Sequence, residues 1–118
     1  MEESERISRI LAAAELHMRV GRLTEPEGSN AYVAYSEVLR LDPDNPQALE
    51  GMQAIAQHYL DAARKVAEDD GSSQALVDIQ HALQLFPENV ELRALRDQVA
   101  EAAVQGSHVG PSQLPGAP

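Results

Sequence analysis

Two segments of this chain repeat one pattern at a fixed distance, and that repeat limits the fold more than any other feature. Residues 31–45 align with residues 75–89 at a constant offset of 75 − 31 = 44 positions. The identical pairs are Ala31/Ala75, Val33/Val77, Leu39/Leu83, Leu41/Leu85, Pro43/Pro87 and Asn45/Asn89. A single short repeat unit cannot bury its own apolar face, so repeated units must pack against one another.

The amino-acid composition indicates that the repeated units are helical. Hydrophobic residues make up 43% of the 118 residues, but aromatic residues supply only 3%. Packing must therefore rely on alanine, leucine and valine, and alanine has the highest helix propensity. A β-sandwich would need more aromatic and β-branched residues. The sequence predicts an all-α fold of stacked antiparallel helix hairpins, with about two repeats and a C-terminal capping helix.

Five helices are predicted from apolar periodicity and from helix start and stop signals. The first four are predicted over residues 4–22, 30–40, 46–69 and 73–85. The fifth follows the turn at Pro87–Asn89. Ser29 or Asn30 is expected to cap the second helix, and Asn45 the third, which starts at Pro46. The third helix is predicted to be unusually long.

Apolar stripes predict which helix faces are buried. The first helix carries two stripes, so it is expected to lie between neighbours. The first stripe comprises Ile7, Ile10, Leu11, Ala14 and Met18, and the second Ala13, Leu16, Val20 and Leu23. The long helix is expected to bury Leu49, Met52, Ala56, Tyr59, Ala63 and Val66, and the fifth Leu92, Leu95 and Val99. A helical domain over 1–105 and a disordered Gly/Pro/Ser tail over 106–118 are predicted.

The repeated helix and its turn resemble tetratricopeptide repeats. That family's second helix has small, large apolar, small and proline positions, which fall here on Ala31, Tyr35, Val38 and Pro43, then on Ala75, Ile79, Ala82 and Pro87. Leu41–Asn45 is typical of the family's turn between repeats. The family period is about 34 residues, and the excess here is assigned mostly to extra turns in the long helix. The resemblance implies an α-solenoid fragment.

The same resemblance implies a groove that binds a peptide or protein partner. The family's groove positions fall on Glu15, Met18 and Arg19 of the first helix, and on Gln53, Gln57 and Arg64 of the long helix. A solvated face is the simpler interpretation of each residue. The predicted function is therefore a non-catalytic interaction or scaffold module with an unidentified protein partner.

Charge and residue types exclude several other functions. The formal charge of −10 repels phosphate, so neither nucleic acid nor an anionic membrane surface is an expected partner. The chain has no cysteine, and His17, His58, His81 and His108 are not spaced as helical metal ligands. No catalytic constellation is evident. We therefore expect no enzyme activity, no cofactor, no metal and no membrane insertion.

The alternative function is a structural spacer or a self-association domain, which would make the chain a homo-oligomer. Residues 11–14, residues 21–31 and Tyr59 resemble repeat segments of bacterial multidomain envelope and signalling proteins. That resemblance implies a bacterial origin. It also implies a periplasmic or cell-envelope location if the parent protein is membrane-anchored, and a cytoplasmic one otherwise.

Overall fold

The structure is a computed structural model that describes residues 2–69 and 71–112. Their regular secondary structure is entirely helical, as the sequence predicts, and the described residues contain no strand. The helices are α1 (Glu2–Arg19), α2 (Ala31–Leu41), α3 (Pro46–Asp69), α4 (Ser72–Leu85) and α5 (Val90–Ser112). The fold divides into two compact units, Met1–Ile55 and Ala56–Pro118, called here the N-terminal and C-terminal units.

Gly21 ends α1. The Arg22 amide donates to the His17 carbonyl over 2.8 Å and the Gly21 amide to the Met18 carbonyl over 3.2 Å. This pair of bonds requires a left-handed residue after the helix, and Gly21 has φ +82°. Glycine adopts that conformation without the steric cost that a side chain would add. α1 therefore ends at Arg19, slightly before the predicted end.

In the N-terminal unit, α1 and α2 run antiparallel. Arg6 at the start of α1 forms an ion pair of 3.5 Å with Glu37 late in α2. At the opposite end the Ala31 amide donates to the Arg22 carbonyl over 2.8 Å. The core of this unit combines one face of α1, one of α2 and the first turns of α3: Leu11, Ala14, Ala31, Tyr35, Val38, Ala48 and Ile55.

Only one of the two apolar stripes of α1 is buried. Leu11 and Ala14 are buried, and Ile7, Ile10 and Met18 are half-buried, as predicted. The prediction for the second stripe is wrong, because Leu16 is 52% exposed and Val20 is 60% exposed. Within the described N-terminal unit, α1 packs against other helices along one flank and leaves the second in solvent.

Asn45 caps α3 as predicted. Its side-chain oxygen accepts from the Ala48 amide over 2.9 Å, and Pro46 is the first helical residue. The predicted stripe, however, is displaced in the first half of the helix. Leu49 is 48% exposed, whereas Ala48, Gly51 and Ile55 are buried.

In the C-terminal unit, α4 and α5 pack together with the second half of α3 around one core cluster. The cluster comprises Leu60, Ala63, Ala75, Ile79, Ala82, Leu92, Leu95 and Val99. The predicted core positions of α5 are confirmed. α5 also continues to Ser112, past the boundary predicted at residue 105, while residues 113–118 lie outside the described residues.

The two repeated segments adopt the same local structure. Ala31 and Ala75 are both fully buried, and Val33 and Val77 are both exposed. Asn89 accepts from the Leu92 amide over 2.8 Å, as Asn45 does from Ala48. The helix starts differ: Asn30 caps α2 through the Val33 amide, whereas α4 begins after Gly71 with no side-chain cap.

Candidate functional site

A depression of about 450 Å³ opens on the surface of the N-terminal unit, and we call it the N-terminal depression. All three helices of that unit contribute to its walls, and every lining residue belongs to residues 1–55. The lining residues are Glu15, Met18, Arg19, Tyr35, Gln47, Glu50, Gly51 and Ala54.

Helical spacing explains why these side chains meet. Met18 and Arg19 follow Glu15 by three and four positions, so both lie beside it on the surface of α1. Gln47, Glu50 and Ala54 obey the same spacing on α3. Residues of α1 and residues of α3 therefore both line the depression.

Tyr35 of α2 lies at the base of the N-terminal depression and is only 5% exposed. Gly51 permits this position, because a Cβ atom at Gly51 would overlap the Tyr35 ring. Any larger residue at Gly51 would displace the ring. The base of the depression is thus an aromatic ring packed against a helix backbone.

The charged groups of the N-terminal depression are not neutralised by one another. Glu15, Arg19 and Glu50 take part in none of the ion pairs formed among the described residues. Burial raises the pKa of the Tyr35 phenol above its usual 10.0, and the negative charge of Glu15 adds to that rise. The Glu15 carboxylate therefore lies close enough to Tyr35 to affect its hydroxyl.

The structure brings together three of the six residues predicted to bind a partner. Glu15, Met18 and Arg19 all line the N-terminal depression. Gln53 and Gln57 do not; Gln57 instead donates to Asp61 over 2.9 Å. Gln53 directly precedes the lining residue Ala54 and is rotated from it by roughly 100°, whereas Gln57 lies seven positions after Glu50, about two turns farther along α3 and in the C-terminal unit. Partner binding by any of the six remains a prediction.

Arg64, the sixth predicted residue, lies in the other unit. It lines a second depression, of about 370 Å³, in the C-terminal unit. The remaining lining residues are mainly apolar or small: Ala67, Glu68, Ser72, Leu95, Gln98, Val99 and Ala102. Arg64 also approaches Asp61 at 3.8 Å and is exposed, so this contact is weak.

Sequence reasoning missed Tyr35, Gln47 and Glu50 as site residues. Tyr35 occupies the large apolar position of the resembled repeat, and it is buried. A signal for the α3 wall was present, because Gln47, Glu50 and Ala54 lie beside the buried Ala48–Gly51–Ile55 line. This neighbouring line identifies the wall of the depression only when the buried face of α3 is known from the structure.

The described residues were also compared with the requirements of a metal site and of a membrane-spanning helix. In the described part of the chain, no group of three or more His, Asp or Glu side chains is placed to hold a metal ion. His17 is half-buried on α1, while His58 and His81 are exposed. The side chain of His108 lies outside the described residues. None of the helices, over the residues described, is long and apolar enough to cross a lipid bilayer.

No protein-family model, curated protein or solved structure matches this chain.

Proposed function

We propose that this chain is a non-catalytic interaction module that holds a peptide or protein partner in the N-terminal depression. The observation that supports this most is the convergence of three helices on one open depression with unpaired charges and a half-buried methionine. Methionine adapts to varied partner surfaces, and aromatic and charged groups supply specificity. The equivalent turns at Asn45 and Asn89 support the proposed likeness to tetratricopeptide repeats.

The chain supplies a matched control for testing this proposal. Peptides are selected from a random display library on the wild-type chain and then measured against two double variants. Met18→Ala/Arg19→Ala alters the N-terminal depression, whereas Gln53→Ala/Gln57→Ala alters exposed residues outside it. All three chains are first compared by circular dichroism to verify the fold.

We expect the selected peptides to bind Met18→Ala/Arg19→Ala about tenfold or more weakly, which corresponds to about 1.4 kcal/mol. Binding to Gln53→Ala/Gln57→Ala should equal that of wild type. If no peptide is selected, or if both double variants bind like wild type, the depression is not a binding site.

Self-association is the second candidate, and the exposed flank of α1 favours it. Leu16 and Val20 lie four residues apart on one face and are both more than half exposed. An apolar stripe that no described helix covers is a candidate interface with another copy. Light scattering of wild type and of Leu16→Glu/Val20→Glu tests this. A dimer that dissociates in the variant supports self-association, and a monomeric wild type contradicts it.

A further inference from the structure

We propose that the N-terminal depression receives a lysine or arginine side chain of the bound peptide, with Tyr35 and Glu15 as its principal acceptors. This inference rests on the proposed peptide-binding function and specifies the class of partner. It depends on three observations: an unsatisfied hydroxyl, two unpaired carboxylates and an apolar side chain beside them.

The Tyr35 hydroxyl has unused hydrogen-bonding capacity. Tyr35 is 95% buried, being 5% exposed, yet its side chain forms no hydrogen bond with other described residues. No fully enclosed side-chain oxygen in the described part of the chain lacks a partner, so the Tyr35 oxygen must remain accessible. Tyr35 is a lining residue of the N-terminal depression, so that depression is the open space which its accessible hydroxyl can reach. A phenol oxygen accepts a hydrogen bond from an ammonium or guanidinium group.

Glu15 and Glu50 supply the negative charge. Glu15 belongs to α1 and Glu50 to α3, both line the depression, and neither has an ion-pair partner among the described residues. After burial, the negative charge of Glu15 is the second cause of the raised Tyr35 pKa, so this carboxylate acts on the same hydroxyl. A cation between them gains charge-assisted hydrogen bonds, which are stronger than neutral ones.

Met18 and Arg19 complete the selectivity of the depression. The half-buried Met18 gives an apolar surface for the methylene groups of a long basic side chain. Arg19 is the one cation in the lining, against two carboxylates. It repels a second basic residue at the same wall, so the depression favours a single cationic side chain over a polybasic run.

The test uses three pools of fluorescent dodecapeptides on the full chain. Each pool has lysine, norleucine or glutamate at one central position and the same neutral mixture elsewhere. Norleucine keeps the length of lysine without its charge. Dissociation constants are measured by fluorescence anisotropy for wild type, Glu15→Gln, Glu50→Gln and Tyr35→Phe. Glu27→Gln/Glu101→Gln removes two exposed charges elsewhere and is the control for net charge.

We expect the lysine pool to bind wild type about fivefold more tightly than the norleucine pool, in the range of exposed ion pairs. Glu15→Gln and Tyr35→Phe should each remove most of the preference for lysine over norleucine. Glu50→Gln should remove a smaller part of it, and the control variant should leave it unchanged. Equal binding of the lysine and norleucine pools overturns this inference and leaves peptide binding intact. Loss of the lysine preference to the same extent in the control variant also overturns this inference, because the net charge of the chain would then explain the preference. Failure of all three pools to bind contradicts peptide binding itself.

Discussion

The ring of Tyr35 in α2 packs directly on the backbone of Gly51 in α3, with no room for a side chain between them. This contact fixes the distance between the two helices in the N-terminal unit and defines the base of the depression. It also decides which side of α3 faces inward. One aromatic residue and one glycine thus couple the core of this unit to its candidate site.

Gly51→Ala is expected to destabilise the chain, although alanine is the better helix former. Without the ring, this change would stabilise the helix by about 1 kcal/mol. Overlap with Tyr35 should instead cost about 1–3 kcal/mol, as overpacked cores do. In a Tyr35→Ala background the same change should be neutral or stabilising. Urea denaturation of the four chains measures both effects, and destabilisation of equal size in both backgrounds would contradict the contact.

Helix α3 shows which features of this site could be predicted from the sequence and which could not. The bounds of α3 and the cap at Asn45 are local signals, and both are confirmed. The buried face is not local: Leu49 and Ala48 begin two adjacent lines that satisfy helical periodicity equally well. The Tyr35 ring selects the line containing Ala48 and Gly51, and Leu49 is left exposed.

The α1 residues of the site are predicted from the resemblance to tetratricopeptide repeats, whose groove positions fall on Glu15, Met18 and Arg19. Glu15 and Arg19 flank Met18 on one side of the helix, whichever neighbour covers the other side. The exposure of Leu16 and Val20 was not predictable, since periodicity identifies an apolar stripe but not what covers it. Covering requires a partner surface, which depends on the tertiary arrangement.

Asn45→Ala and Asn89→Ala are expected to cost similar free energies of unfolding, about 0.5–2 kcal/mol each. Each asparagine accepts from the amide of a fully buried residue, Ala48 or Leu92, so its loss leaves a buried donor unsatisfied. Serine at either position should retain most of the stability. Urea denaturation measures the differences, and a cost at only one of the two sites would contradict their structural equivalence.

Glu37 is expected to make the stability of the N-terminal unit depend on pH in the acid range. Its hydrogen bond from Arg40, together with the charges of Arg40 and Arg6, holds the Glu37 pKa below its usual 4.5. A lowered folded pKa means that the stabilisation is present above about pH 4.5 and is lost as the pH falls through the folded value. The stability difference between wild type and Glu37→Gln should therefore shrink on acidification.

The Glu37 titration can be followed directly by carbon NMR of its carboxyl group. Arg40→Gln should raise the Glu37 pKa more than Arg6→Gln, because the Arg40 hydrogen bond is the largest cause of the shift. Equal effects of the two variants would mean that general charge, rather than that bond, sets the pKa.

Glu15→Gln is expected to lower the Tyr35 pKa partway towards 10.0. Burial is the larger cause of the raised value and stays in place, while the Glu15 charge is removed. Carbon NMR of the Tyr35 ring measures the titration, with Glu27→Gln as a control of equal charge change in an exposed loop. An unchanged Tyr35 pKa in Glu15→Gln would place the carboxylate away from the hydroxyl and weaken the case for a cation site.

Leu92→Ala is expected to destabilise the C-terminal unit by about 2–5 kcal/mol, because Leu92 is fully buried in the cluster formed by α3, α4 and α5. Val90→Ala, two residues earlier in the same helix, should change stability by less than about 0.5 kcal/mol, since Val90 is 76% exposed. Urea denaturation followed by circular dichroism compares the two. Similar small effects of the two variants would mean that α5 does not close this core.

Truncation after Phe86 removes Leu92, Leu95 and Val99 together, so it should abolish cooperative unfolding of Ala56–Phe86.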